Sequence, residues 1–213
     1  MNKPNIILIG GGGHCKACID VIELENKYTI AGIIDVKEKV GNTILGYPII
    51  GTDADLPQLA TQYDNFFITV GQIKSADLRI KIFQQLKQLN TNIPTIISPL
   101  AYVSQHAKIS EGTIIMHHTL VNANATIGKN CIINNKALIE HDVIIGDHCH
   151  ISTNATINGD CVVQNNSFIG SGAILNQGIK VLENCIIGSG SVIIKSITTK
   201  NTIWVGNPAK HIK

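Results

Sequence analysis

The stretch IGKNCIINNKALIEHDVIIGDHCHIS, residues 127 to 152, decides how this chain folds. Its isoleucines at 127, 133, 139, 145 and 151 fall every sixth residue, a spacing that suits neither a lone helix nor a hairpin sheet. Followed outward, the beat begins at Ile97 and ends at Ile193, which makes 17 hexads without an insertion. Four residues after each large aliphatic comes a small or β-branched one, such as Ala125, Cys131, Ala137, Val143, Cys149 and Ala155. Four of the six cysteines occupy that place and read as compact core fillers. Gly, Asn and Asp fill many positions between, as in IGKN, INGD and IGSG, where they accept tight turns and positive φ. Such a pattern fits a solenoid whose short strands each bury one large and one small residue. Three hexads make one triangular coil, so residues 18 apart stack. At ~4.8 Å per stacked strand, the hexads form about 5.7 coils and a prism about 27 Å long.

The first half has a different grammar. NIILI (5–9) reads as a buried strand, GGGGH (10–14) as a tight turn and HCKACIDVIELE (14–25) as a helix with Ala17, Cys18, Val21 and Ile22 on its apolar side. TIAGIID is a second strand ending at Asp35, and FFITVG a third, followed by a helix from about Ser75 to Leu89. Strand, glycine turn, helix, strand opens a doubly wound parallel sheet. The glycine turn brings backbone N–H groups to a helix N-terminus, where anions are favoured. Gly10 and Gly12 fit the dinucleotide fingerprint, but Cys15 stands where its third glycine belongs. The turn therefore suits capture of a nucleotide by a reduced version of the fold, and tight strand–helix packing is its structural alternative.

Composition bounds the function. The chain is 44 % hydrophobic, 4 % aromatic and 15 % charged, with a formal net charge of +2 and no long basic run. A core of Ile, Val and Ala follows, and nucleic acid is not suggested. Small anionic substrates stay open, because a few lysines suffice for a phosphate. No apolar run is long enough to span a bilayer, and NIILIGGGG is too short and glycine-rich for a signal segment. The sequence reads as soluble and cytoplasmic, with reduced cysteines. Cys15 and Cys18 form a C-x-x-C, the spacing of a redox or metal pair, but no second pair completes a zinc site, and incidental use of small residues is the favoured reading.

IGKNCI, IGDHCH, IGSGAI and IGSGSV resemble the repeats of the left-handed β-helix acyltransferases, and the tail WVGNPAKHIK resembles their closing segment. ILIGGGGH, IID, FFITVGQ and the hexads, in that order, resemble the PglD/NeuD-type sugar acetyltransferases over essentially the whole chain. The resemblance implies an α/β N-terminal Rossmann-like domain over residues 1–96 that holds a nucleotide-sugar. It also implies a C-terminal left-handed parallel β-helix over residues 97–213 that holds acetyl-CoA. The activity implied is N-acetylation of a UDP-4-amino-4,6-dideoxy sugar for bacillosamine-type glycans, in a homotrimer with active sites between subunits and without a metal.

Site residues follow from motif and register. His141 lies outside the buried hexad positions, and its stacked neighbours, Ala123 and Gly159, are small enough to leave room for a substrate beside the imidazole. IEHD resembles the family's I-E-H-E motif, whose histidine is the general base and whose next acid raises its basicity. Here that acid is Asp142, one methylene shorter, and Glu140 is the alternative partner. By the same matching, His150 contacts acetyl-CoA, Ser171 and Ser189 follow it along the coenzyme, and Asn134 is a polar active-site residue. Gly12, Gly13, His14, Asp35 and Gly71 match the nucleotide-sugar site, where Val36 replaces a second aspartate of the family pattern. Register places His148 and His150, like His141, on turns and outer faces. His118 and His148 read as solvated residues, and Lys195, Lys200 and Lys210 either serve coenzyme phosphates or are ordinary surface lysines.

Three other readings remain. An O-acetyltransferase of sialic acid or a related sugar, of the NeuD type, keeps the donor and changes the acceptor. A zinc hydratase on the same β-helix would use His117, His141 and His150. A nucleotide-sugar-binding scaffold would lack catalysis altogether.

Overall fold

The computed structural model describes residues 3–213 and divides into two compact units. One runs to Gly71 and resumes over Asp77–Ile96; the other joins Gln72–Ala76 to Ile97–Lys213.

In the first unit β1 (Asn5–Ile9) lies parallel to β2 (Thr29–Ile34) on one side and to β5 (Asn65–Ile68) on the other. Ile6 to Ile9 are all buried, as a strand covered on both faces requires. Helix α1 (Gly13–Glu25) turns Cys15, Cys18, Ile19 and Ile22 inward at helical spacing, with Ala17 half-buried at the margin. Asn26 ends it in the left-handed conformation, its N–H donating to the Ile22 carbonyl. Both cysteines of the C-x-x-C are fully buried free thiols. Helix α3 spans Asp77–Gln88. A hairpin absent from the sequence reading, β3 (Thr43–Ile44) and β4 (Tyr47–Gly51), extends the sheet beyond β2, with the short helix α2 (Leu56–Leu59) following it. Its turn is Leu45–Gly46, both at positive φ (48° and 87°), where an Asn-Gly pair would have announced it.

The second unit is a parallel β-helix. Two-residue strands recur every six residues from Ile96–Ile97 to Val192–Ile193, and each pairs with the strands 18 residues before and after it, as Leu120 does with Tyr102 and Leu138. Three faces result. The first carries Ile132–Ile133 and His150–Ile151, the second Leu138–Ile139 and Thr156–Ile157, the third Ile144–Ile145 and Val162–Val163. The corner between strands adopts positive φ at every sixth residue from Gly112 to Gly190, which explains the Asn, Asp and Gly found there. Ile133, Ile139, Ile145, Ile151 and Ile157 are almost fully buried on the axis, each worth about 1.5–3 kcal/mol of apolar burial.

The smaller inward position has a second logic beyond size. Thr113, Thr119, Cys131, Cys149, Cys161 and Ser167 each donate to the carbonyl 15 residues ahead; Cys131 Sγ reaches Gly146 O at 3.1 Å and Thr113 Oγ1 reaches Gly128 O at 2.7 Å. A small donor there satisfies a buried carbonyl inside the column, so Cys, Ser and Thr interchange. Strand Ile203–Gly206 stacks on Ile186–Ile187 and folds back through Ala209–His211 to close the end. Among the described residues no helix is long and apolar enough to cross a membrane.

Candidate active site

The corner between the second and third faces presents Glu140, His141 and Asp142 outward, all following the buried Ile139. Asp142 sits at φ 62°, and its Oδ2 lies 2.8 Å from His141 Nδ1. The shorter acid thus reaches the imidazole directly. Glu140 is committed elsewhere, accepting from Asn122 Nδ2 at 2.8 Å. Asn124, one coil away at the same corner, donates to Asp142 Oδ1 at 2.6 Å and fixes the carboxylate. A carboxylate only accepts, so Nδ1 carries the hydrogen and Nε2 keeps its lone pair. The hydrogen bond to Asp142 holds the His141 pKa above its ordinary value, with the charges of Asp142, Asp160 and Glu140 adding to it against some desolvation. Asp142 is held below the usual carboxylate range, first by the Asn124 amide and then by His141. The imidazole is about half exposed.

Gly159 has a different purpose from the one its size suggested. The ring lies across it: a Cβ at Gly159 would stand 2.7 Å from His141 Cε1 and 2.8 Å from Nε2. The space is filled by the imidazole itself rather than left for a substrate.

His150 requires a correction. It points off the first face as register demands, yet only 7 % of it is exposed, because the backbone of Gln72 lies on it. Its Nδ1 is 2.6 Å from the Gln72 carbonyl, its Nε2 is 3.3 Å from Asn134 Nδ2, and Phe168 meets its ring edge-on at 5.1 Å. His148 is half-buried rather than solvated, 2.9 Å from Asn130 Nδ2, while His118 is exposed. Asn134, Ser171 and Ser189 share the corner between the first and second faces. There the Ser171 hydroxyl meets Ser152 Oγ at 2.9 Å, and glycines flank both Ser171 and Ser189. At other corners an Asn or Glu side chain accepts from the equivalent N–H, as Asn122 does from Ala123. The N–H groups of Ser171 and Ser189 have no such acceptor among the described residues. Lys200 pairs with Glu183 at 2.7 Å; Lys195 and Lys210 are exposed.

His117, His141 and His150 do not gather in one chain. His117 bonds Ser98 Oγ at 2.7 Å on the corner between the first and second faces, whereas His141 stands on the corner between the second and third. Among the described residues no group of three or more His, Cys, Asp or Glu could hold a metal ion.

In the first unit the turn after β1 leads into Gly12 at the helix cap and Gly13 at its first position, both with open space where a side chain would stand. Gly71 passes close to His14, and His14 Nε2 lies 3.4 Å from Cys18 Sγ, a thiol raised well above its ordinary pKa by burial. Asp35 accepts from Gly11 N at 3.1 Å, from Val36 N at 2.8 Å and from Lys39 Nζ at 2.7 Å. Burial alone would raise its pKa, but Lys39 and the two N–H groups outweigh it and hold the carboxyl low. Asp35 also borders a cleft of about 270 Å³ walled by Gly10, Ile34, Val36, Thr52 and Val70, beyond the carboxyl ends of β1, β2 and β5. That is where open α/β sheets bind ligands. Sequence reasoning missed Lys39, Gln72 and Phe168. It could have found Asn122 and Asn124, which stand one 18-residue stack before Glu140 and Asp142.

Comparison with known proteins agrees with this layout. Residues 5–86 match the PglD N-terminal domain, and residues 124–159 and 160–195 match the bacterial transferase hexapeptide of six repeats. No curated protein matches the chain by sequence. PerB from Caulobacter crescentus, solved with CoA and GDP-perosamine, is 29 % identical over 98 % of this chain and 97 % of its own, with a TM-score of 0.91. The acetyltransferase domain of PglB from Neisseria gonorrhoeae, also solved with acetyl coenzyme A, is 28 % identical over 99 % of this chain and 100 % of its own, with a TM-score of 0.90 without the ligand. WeeI from Acinetobacter baumannii, 23 % identical over 99 % of this chain and 100 % of its own with a TM-score of 0.87, shares the fold.

Proposed function

We propose that this chain, a structural homologue of the hexapeptide-repeat sugar N-acetyltransferases of the left-handed β-helix superfamily, carries an acetyl group from acetyl-CoA to the 4-amino group of a nucleotide-linked deoxy sugar. The observation that carries this reading is the His141–Asp142 pair, 2.8 Å apart on an outward corner with the Nε2 lone pair free. An amine needs a base for its proton and a thioester needs a nucleophile; the corner supplies the first and the substrate the second.

In the proposed reaction the neutral amine attacks the thioester carbonyl carbon and the C–N bond forms. His141 Nε2 takes the ammonium proton as the adduct develops. Asp142 orients the ring and favours the imidazolium. The C–S bond then breaks, and the departing sulfur takes its proton from the imidazolium or from water. The unpartnered N–H groups of Ser171 and Ser189 suit the coenzyme's amide carbonyls or the oxyanion. Asp35, Gly12, Gly13, His14 and Gly71 are assigned to the nucleotide-sugar, and His150 and Asn134 to the acyl donor.

The corner with Ser171 and Ser189 and the corner with His141 lie one face apart, six residues or on the order of 20 Å along the chain. With the donor assigned to the corner of Ser171 and Ser189, we assign its thioester end to His141 of a second copy. The intervening face supports a threefold arrangement, since its outward residues are mainly apolar: Tyr102 is 61 % exposed and Ile174 37 %. We therefore assign a homotrimer, working in the cytoplasm where acetyl-CoA and nucleotide-sugars are available.

Incubation with acetyl-CoA and a panel of UDP- and GDP-linked 4-amino sugars tests the assignment. Thiol release with gain of one acetyl group on the sugar nitrogen is expected. Acetyl on a hydroxyl, or no thiol release with any amino sugar, overturns it.

A further inference from the structure

The ring of His150 is fixed by a chain of hydrogen bonds whose direction is dictated at both ends by backbone. At one end the N–H of Asn135 donates to Asn134 Oδ1 at 2.8 Å, which leaves the amide nitrogen of Asn134 to face His150 Nε2. At the other end the Gln72 carbonyl, which can only accept, lies 2.6 Å from Nδ1. Nδ1 must therefore carry the hydrogen and Nε2 the lone pair. Gln72 is held in place by its own side chain, whose Nε2 donates to the His148 carbonyl at 3.0 Å. Only 3 % of Gln72 is exposed, and its Oε1 has no partner among the described residues. A buried amide with one end unmatched calls for an explanation. The anchor it makes on His148 supplies one.

We propose that Gln72 is a positioning residue that locks His150 in the Nδ1–H tautomer and aims Nε2 at the Asn134 amide, so that His150 and Asn134 meet the acyl donor as one unit. This rests on the assignment of His150 to acetyl-CoA made above. It also restricts the chemistry. Neutral His150 carries no proton on Nε2, whose lone pair accepts from the Asn134 amide. It orients Asn134, whose amide keeps a second N–H for the donor, and it does not protonate the departing sulfur, which leaves that task to the His141 imidazolium or water. Gln72 belongs to a segment between β5 and α3, far from the column in sequence, and only the fold brings it over the ring.

Full-length protein with ¹⁵N-labelled histidine tests this, with His150 assigned by the signal lost in His150→Gln. The native protein should show His150 with Nδ1 protonated and Nε2 bare. Gln72→Met keeps the stem and removes the anchor; the ring should move toward a tautomer mixture. The KM for acetyl-CoA should rise about fivefold to tenfold, the worth of one lost hydrogen bond, with the KM for the amino sugar unchanged. If Gln72→Met does not fold, the isosteric Gln72→Glu removes the same donor and should give the same shift. An unchanged His150 pattern in a folded variant overturns the proposal. A shifted tautomer with unchanged acetyl-CoA affinity overturns the positioning role. If His150→Gln also binds acetyl-CoA normally, it is the assignment of His150 to the donor that has failed.

Discussion

Gly159→Ala is a sharp test of the proposed base, because it adds one methyl beneath the imidazole and changes no reacting group itself. Gly159 is not among the residues with positive φ, so alanine imposes no backbone strain there. The added Cβ would stand 2.7 Å from His141 Cε1, and ordinary contact begins at 3.4 Å, so the ring must retreat by at least 0.7 Å. A retreat of that size stretches the 2.8 Å bond to Asp142 to about 3.5 Å, beyond hydrogen-bond range. Misplacement by about 1 Å costs about 10²-fold in rate, or about 2.7 kcal/mol on the barrier. Two readouts should move together. The turnover number, followed by thiol release, falls about a hundredfold. The acidic limb of the pH–rate profile shifts to lower pH, because the contact that raises the His141 pKa is lost and the base stays neutral further into acid. Thermal stability should change little, since the half-exposed ring can swing outward. A Gly159→Ala enzyme with turnover within twofold of native and an unmoved acidic limb would refute the placement of His141 as base.

Five further outcomes are expected. His141→Ala should lose about 10²- to 10⁴-fold in turnover while its circular dichroism and melting curve stay native. Asp142→Asn should shift the acidic limb downward, since the hydrogen bond that His141 donates to that carboxylate is the main cause of its raised pKa; an upward shift would contradict the pairing. Gly170→Ala should cost about 3 kcal/mol in a melt, because its Cβ would meet Ser189 N at 2.6 Å. Gly172→Ala, at φ +66° in open space, should cost only about 1 kcal/mol. Co-expressed His141→Ala and Ser171→Trp chains, each inactive alone, should regain activity when mixed, as composite sites require; no recovery would place each site within one chain.

The column was legible because its code is one-dimensional. A residue's surroundings are set by the residues 18 away, so Asn124, Asp142 and Gly159 could be placed at one corner in successive coils from numbering alone. What numbering could not supply was conformation at the corner. The left-handed backbone of Asp142 brings its short side chain back to Nδ1, and no spacing argument measures that reach. His150 was misread for another reason. Register gives the direction in which a side chain leaves the column, but not what lies on it, and Gln72 arrives from 78 residues away. The hairpin at Leu45–Gly46 escaped because leucine at positive φ is a poor turn signal, tolerated where the paired strands enforce it.

The pairing of every strand with partners 18 residues away also governs how such a chain can change length. Duplication of one full coil adds a storey of about 4.8 Å and leaves every downstream side chain facing its former direction. Duplication of a single hexad preserves the rhythm of the sequence but turns everything beyond it by a third of a revolution. In an assembly whose sites pair one chain's edge with another's, that smaller insertion would fold and still deliver its chemistry to the wrong neighbour. Under the proposed composite sites, growth by whole storeys keeps each partner in place and growth by single hexads does not.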